Sequence, residues 1–222
     1  MQENASHRPS TLAGMLLDLV LPLECGGCGV PATRWCETCT AVLAVKADEP
    51  HLVSLRLDPG VPVFSLGRYA GVRRQVILAV KEHGRTDLVP MLGAALNAGL
   101  THLIEWGIVA APLTLVPAPT RRSTARRRGG DPVTRIAVAA AAPHGVVAPV
   151  LRTRAFTRDS VGLSAGQRQQ NIAGRVLVRG RARGEVVLVD DISTTGATAS
   201  ESVRVLQRNG ARVSAVVVLA NA

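Results

Sequence analysis

The chain has 222 residues, of which 47% are apolar and only 2% aromatic, and it carries a formal net charge of +10. That is room for one α/β domain and a small appendage, with a core that must be built from Val, Leu and Ala. No apolar segment reaches the roughly 18 residues of a membrane span, and five aromatic residues leave little for base stacking on single strands.

The positive charge is almost wholly arginine, since Lys46 and Lys81 are the only lysines. It fits a polyanionic partner, a pyrophosphorylated sugar or a nucleic acid. An Ala-, Arg-, Gly- and Val-rich genomic composition explains it equally well.

Leu12, Met15, Leu16 and Leu19 fall at helical spacing, so residues 1–20 read as a short amphipathic segment. Asp18 and Pro22 interrupt its apolar run, and it has neither a basic start nor a clear cleavage site, which makes it a poor signal peptide. A cytoplasmic location with no membrane span is the expectation.

A small unit over residues 21–45 comes next. Cys25-Gly26-Gly27-Cys28 and Cys36-Glu37-Thr38-Cys39 place all four cysteines within fifteen residues. Two Cys-x-x-Cys knuckles at this spacing suit tetrahedral Zn2+, held by Cys25, Cys28, Cys36 and Cys39. Two disulfides in an exported protein, or a redox-active Cys-x-x-Cys, are the alternatives; nothing else suggests export, and no strand–helix context suggests redox chemistry. With four protein ligands the site is closed and structural. Trp35 is expected to pack over the knuckle turn. Residues 46–60 read as a linker, broken by Asp48-Glu49-Pro50 and Asp58-Pro59-Gly60.

A main domain over 61–222 follows. Residues 61–70 read as a strand, 72–80 and 88–104 as helices, and 113–116 as a second strand ending at Pro117. Five arginines fall within the eight residues 121–128, as a solvated basic loop or an anion-binding one. Asp131-Pro132 is a helix start, with an acid to cap and a proline in the first turn, for a helix through 133–142. Residues 146–150 form a third strand, and 152–170 a polar, basic segment. The five histidines share no spacing and suggest no ligand set.

The run Val186-Val187-Leu188-Val189-Asp190-Asp191-Ile192-Ser193-Thr194-Thr195-Gly196-Ala197-Thr198 carries the most chemistry. Four apolar residues read as a buried parallel strand ending at the two acids. A helix over 199–209, stopped by Asn209-Gly210, follows the hydroxyl- and glycine-rich turn. A turn that presents free amides at a helix N-terminus suits a phosphate. Adjacent carboxylates suit ribose hydroxyls, or a divalent metal escorting a polyphosphate.

This run resembles the signature of type I phosphoribosyltransferases, which bind 5-phosphoribosyl-1-pyrophosphate (PRPP). The resemblance implies that Asp190 and Asp191 meet the ribose 2- and 3-hydroxyls and carry the catalytic role, and that Ser193, Thr194, Thr195, Gly196, Ala197 and Thr198 complete the PRPP site around the 5-phosphate. The order knuckle unit, then this domain, resembles the ComF family, which is linked to competence and DNA uptake. Tyr69-Ala70-Gly71 followed by Lys81, Val116-Pro117-Ala118-Pro119-Thr120-Arg121-Arg122, and Leu163-Ser164 through Asn171 resemble further family segments in the same order.

The resemblance implies a twisted, mostly parallel sheet with flanking helices, preceded by the zinc unit. It also implies a pyrophosphate loop at Pro117, Ala118, Pro119, Thr120, Arg121 and Arg122, Mg2+ bound with PRPP, and a mobile hood in which Arg168 and Asn171 act. The expected function is PRPP binding with transfer of phosphoribose to an unidentified acceptor. The alternative is a non-catalytic, nucleic-acid-associated scaffold that binds single-stranded DNA or DNA-uptake proteins.

The chain departs from the family where Gly130-Asp131-Pro132 replaces Phe-Asn-Gln and where Asp159 replaces a glutamine. Thr194 also stands where purine-salvage relatives place an aspartate base. Catalysis by this chain would therefore rest on charge stabilisation instead of a general base.

Overall fold

In the computed structural model, residues 23–119, 130–154 and 174–222 are described. The amphipathic segment 1–20, the basic loop with Thr120, Arg121 and Arg122, and the segment with Asp159, Arg168 and Asn171 lie outside them.

A six-stranded sheet forms the centre, in the order β1-β2-β8-β7-β3-β4. Its members are β1 (His51–Leu52), β2 (Val63–Ser65), β3 (Leu113–Pro117), β4 (Gly145–Val147), β7 (Glu185–Ser193) and β8 (Val213–Asn221). All neighbours are parallel except β1, which pairs antiparallel with β2 at the edge. A separate antiparallel pair, β5 (Leu151–Thr153) and β6 (Val176–Val178), stands beside it. The expectation of an α/β fold with a mostly parallel sheet and flanking helices is met.

Burial on both faces explains the unbroken apolar strands. Along β7, Val187 and Val189 join one core and Val186 and Leu188 the other, as period-two alternation requires. The first face is covered by α2 (Gly71–Glu82), α3 (Val89–Glu105) and α4 (Pro132–Ala141), and the second by α5 (Ala197–Arg208) with the β5–β6 pair. Helix α1 (Glu37–Leu43) belongs to the cysteine unit.

The stretch Thr86–Glu105, a 3-10 turn running into α3, corrects the expectation that nothing in the chain reaches membrane length. Its 20 residues are long and apolar enough to cross a bilayer by length and composition. Its apolar side is occupied within the fold, since Leu92, Leu96, Leu100 and Leu103 are fully buried against the sheet and α4. Asn97 fixes the α3–α4 crossing by donating to the carbonyls of Ala140 at 2.8 Å and Ala142 at 2.7 Å.

Two boundaries differ from the sequence reading. Strand β7 does not stop at the aspartates; it runs on through Ser193 because β8 is equally long and pairs with Ile192 and Ser193 through Ala220 and Asn221. The stretch 46–60 contributes β1 to the sheet edge, and Val53 donates to the Val63 carbonyl at 2.8 Å.

Candidate functional site

The chain moves outward from β3 to β4, then returns to the opposite side of β3 to form β7 and β8. The strand order therefore reverses between β3 and β7. In open α/β sheets such a reversal splays the following loops to opposite sides and leaves a crevice at the carboxyl ends of the strands. Pro117 pairs with Val189, and the Ala118 amide donates to the Val189 carbonyl at 2.7 Å. The start of the Pro117–Arg122 segment and the Asp190–Thr198 turn thus leave adjacent strands at one end of the sheet.

Asp191 continues the Val187–Val189 row and faces the helical layer that holds α2. Lys81, in the last turn of α2, puts its Nζ 2.8 Å from Asp191 Oδ2. The Asp191 Oδ1 accepts from the Ile192 amide at 2.7 Å, and Asp190 Oδ1 accepts from the Asp191 amide at 2.8 Å. Burial, together with the neighbouring Asp191 charge, pushes the Asp190 carboxyl up to about 8; Lys81 pulls the other way without cancelling this, and Asp131 adds to the rise. For Lys81, burial disfavours the ammonium, but Asp191, Asp190 and Glu82 outweigh it and raise its pKa.

Asp131 caps α4, accepting from the Val133 amide at 3.2 Å and from the Thr134 hydroxyl at 2.6 Å. Asp131 thus adds a carboxylate within electrostatic reach of Asp190. Among the described residues, however, no set of three carboxylates lies close enough to share an ion.

Beyond β7 the chain turns through Thr194 and Thr195 to Gly196, which adopts φ 84 and ψ 2 immediately before α5. A Cβ at Gly196 would stand 2.5 Å from the Leu57 carbonyl oxygen and 2.9 Å from Leu55 Cβ, so glycine is required both by backbone conformation and by space. No side chain caps α5 at this position. The amides of its first turn present the partial positive charge of a helix start toward the strand ends.

The second cluster is the cysteine unit. The four sulfurs lie within 4.8 Å of one another, close enough to hold one metal ion. Cys25 and Cys28 each have their Sγ 3.7 Å from that of Cys36. A tetrahedron with Zn–S near 2.3 Å has an edge of about 3.8 Å, so the donor set and its spacing are consistent with structural zinc. Burial raises the Cys25 thiol, but amides of Cys28, Gly27 and Cys36 more than offset it and lower its pKa to about 6. Cys39 is pushed up, by burial and then by the surrounding thiols.

The unit is docked on the helical layer. Arg85, just past α2, donates to the carbonyls of Glu24 at 3.2 Å and Arg34 at 3.4 Å while its Nη2 lies 2.9 Å from Asp87 Oδ2. A Cβ on Gly27 would meet Cys39 Sγ at 2.6 Å and Val72 at 3.0 Å. Trp35 packs against the large core that includes α2 and α3.

Sequence reasoning placed Asp190, Asp191 and the Ser193–Thr198 turn at one strand end and Pro117, Ala118 and Pro119 at the end of another, and in the structure those two strands are neighbours. It missed the Lys81–Asp191 pair, the Arg85 clamp and the contact of Leu55 and Leu57 with the turn. Only Lys81 carried a signal, as one of two lysines in an arginine-rich chain and as the residue singled out after Tyr69-Ala70-Gly71. No family model matches the chain, and no curated protein does.

Proposed function

We propose that this protein binds PRPP with Mg2+ at the carboxyl ends of β3 and β7 and transfers its phosphoribosyl group to a nucleophilic acceptor, as a ComF-like member of the type I phosphoribosyltransferases. The observation that carries the reading is the reversal of strand order between β3 and β7, with two adjacent aspartates and a glycine turn into a helix at that point. In the transfer, the bond from C1 of the ribose to the pyrophosphate oxygen breaks and a bond from C1 to the acceptor forms. Pyrophosphate leaves with the bond's electrons, and the acceptor's proton passes to solvent.

Asp190 and Asp191 would accept from the ribose hydroxyls and stand near the positive charge that develops on the sugar. The amides of the Thr194–Thr198 turn would donate to the 5-phosphate. Pro117 and Pro119 have no N–H and the Ala118 amide is taken by the Val189 carbonyl, so in the Pro117–Arg122 segment the amides of Thr120, Arg121 and Arg122, with the two guanidiniums, would take the pyrophosphate. When bound, Mg2+ would supply neutralising charge to the pyrophosphate oxygens. One or two carboxylates plus substrate phosphates is the usual magnesium environment. The cysteine unit would hold Zn2+ as a structural element.

Calorimetric titration with PRPP and Mg2+ tests the reading. Saturable binding by the wild type and its loss in the Asp190→Asn/Asp191→Asn double variant are expected. Equal binding by both proteins would remove the aspartates from the site, and no binding by either would remove PRPP.

A second reading, a nucleic-acid-associated competence protein, is favoured by one feature. Residues 145–154 and 174–184 hold Arg152, Arg154, Arg175, Arg179, Arg181 and Arg183 and no acid, and all of these but Arg175 are exposed. Binding to single-stranded DNA through such a surface would be ionic and would weaken steeply with salt. Tight binding that survives high salt would contradict it.

A further inference from the structure

The strand-end site holds a charge that the Asp190–Thr198 motif does not supply. Lys81 comes from α2, in a different part of the chain, and its pair with Asp191 joins the helical layer to the end of β7. Exposed ion pairs add little to stability, about 0–1 kcal/mol. Here the two side chains are only 32% and 11% exposed, so the pair is largely withdrawn from solvent. Its main consequence is geometric.

Asp191 is held at both oxygens, at Oδ1 by the Ile192 amide and at Oδ2 by the Lys81 ammonium. Asp190 is held at Oδ1 by the Asp191 amide. Two neighbouring carboxylates in a sequestered site repel one another, and a single fixed cation relieves that repulsion for both. Lys81 is not free to wander. Its helix is anchored at one end by Val72 against the knuckle at Gly27, and Arg85, immediately beyond the other end, clamps the Glu24 and Arg34 carbonyls.

We propose that Lys81 is a positioning residue of the strand-end site: its ammonium locks Asp191 in one orientation and offsets one of the two adjacent negative charges, so that Asp190 and the remaining lone pairs of Asp191 face the sugar hydroxyls in a fixed geometry. The proposal rests on the PRPP reading for the identity of the sugar, and on the geometry alone for the locking. The charged groups that face this point are Asp190 and Asp191 from β7, Lys81 and Glu82 from α2, and Asp131 from the start of α4. A lysine there is a compact, fully hydrated point charge when exposed, but a fixed one when its stem is packed.

Two measurements on wild type, Lys81→Met, Lys81→Gln and Lys81→Arg test it. The first follows the Asp191 and Ile192 amide resonances against pH, because each donates to one of the two carboxylates. The second is the Mg2+–PRPP titration at neutral pH. Loss of the ammonium is expected to move the Asp190 titration, read at the Asp191 amide, to higher pH and to shift the Ile192 amide. It should also weaken PRPP binding about tenfold or more, with arginine restoring both. If the neutral variants keep the wild-type amide titrations and affinity, the proposal is wrong. Arginine that behaves like methionine would overturn it as well. Wild type that ignores PRPP, in a protein whose amide titrations still respond to Lys81, would remove the PRPP reading and leave the locking role standing.

Discussion

The Leu57 amide donates to the Thr195 carbonyl at 2.9 Å, tying the stretch between the cysteine unit and the sheet to the turn that opens α5. This contact explains why Gly196 has no room for a side chain. The Leu57 carbonyl stands where a Cβ would go, and the backbone there is left-handed. Gly196→Ala should therefore destabilise the protein by about 1–3 kcal/mol and reduce PRPP binding more than a distant substitution of equal cost. Chemical denaturation and calorimetry on the same sample check both. Unchanged stability would mean that Leu55 and Leu57 yield at no cost.

Asp190 gives a pH dependence with a definite sign. A carboxyl raised to about 8 in the fold and near 3.9 when unfolded holds its proton in the native state across that window. The native protein then binds more protons than the unfolded chain, so this residue makes stability fall as pH rises from about 4 toward 8. Asp190→Asn should remove that slope and stabilise the ligand-free protein at pH 9, with about 5–6 kcal/mol as the ceiling that a shift of this size sets. Thermal denaturation of both proteins at pH 6 and pH 9 checks it, and parallel pH profiles would contradict it.

Ligand binding should show the opposite trend from the same group. An ionised Asp190 is the better acceptor for ribose hydroxyls and the better neighbour for Mg2+. Affinity for Mg2+–PRPP should rise with pH up to about 8 in the wild type, with protons released on binding. Calorimetry in buffers of different ionisation enthalpy measures that release. Asp190→Asn should release fewer, leaving only what the phosphates of the ligand themselves give up.

Periodicity and turn chemistry made α2, α3, α4 and α5 legible, along with β3 and the start of β7, because each has a one-sided or unbroken apolar pattern with punctuation at its ends. The aspartate-rich turn was legible for the same reason. Strand β8 is apolar from Val213 to Leu219 except at Ser214 and directly follows the Asn209-Gly210 stop, and it pairs with both β2 and β7 and determines how far β7 extends. Short strands such as β1, β5 and β6 carry two or three residues each, too few for a period to register. Lys81 and Asp191 are brought together by packing alone, and no local pattern encodes a pair so far apart in the chain.

Arg85 has a separable role. It carries a bidentate contact to Asp87 and two hydrogen bonds to knuckle carbonyls, all on one guanidinium. The Asp87 carboxylate chiefly, against some burial, raises the Arg85 pKa, and Arg85 in turn lowers that of Asp87. Lysine cannot reproduce this fork. Arg85→Lys and Arg85→Ala should both loosen the docking of the cysteine unit, with a cost of about 1 kcal/mol for the partly exposed site. Faster amide exchange at Gly26 and Ala32, with β7 and β8 unaffected, is the expected signature.

Metal removal should separate the two parts of the fold. The cysteine unit has Cys25, Cys39 and Leu43 as its buried apolar members, whereas the sheet has a full core on each face. Structural zinc contributes about 10 kcal/mol or more to units of this size, and this unit is expected to depend on it. Zinc measured by elemental analysis should be bound at one ion per chain and lost in Cys28→Ser, whose sulfur is the exposed member of the set. The stripped protein should lose protection at the Cys25, Gly29 and Ala32 amides, which close the knuckle through Val30, Cys25 and Leu23 carbonyls. Strands β3, β7 and β8 should stay protected, because their hydrogen bonds run within the sheet. Global unfolding on chelation would instead show that the cysteine unit, through Arg85 and Val72, holds the whole helical layer in place.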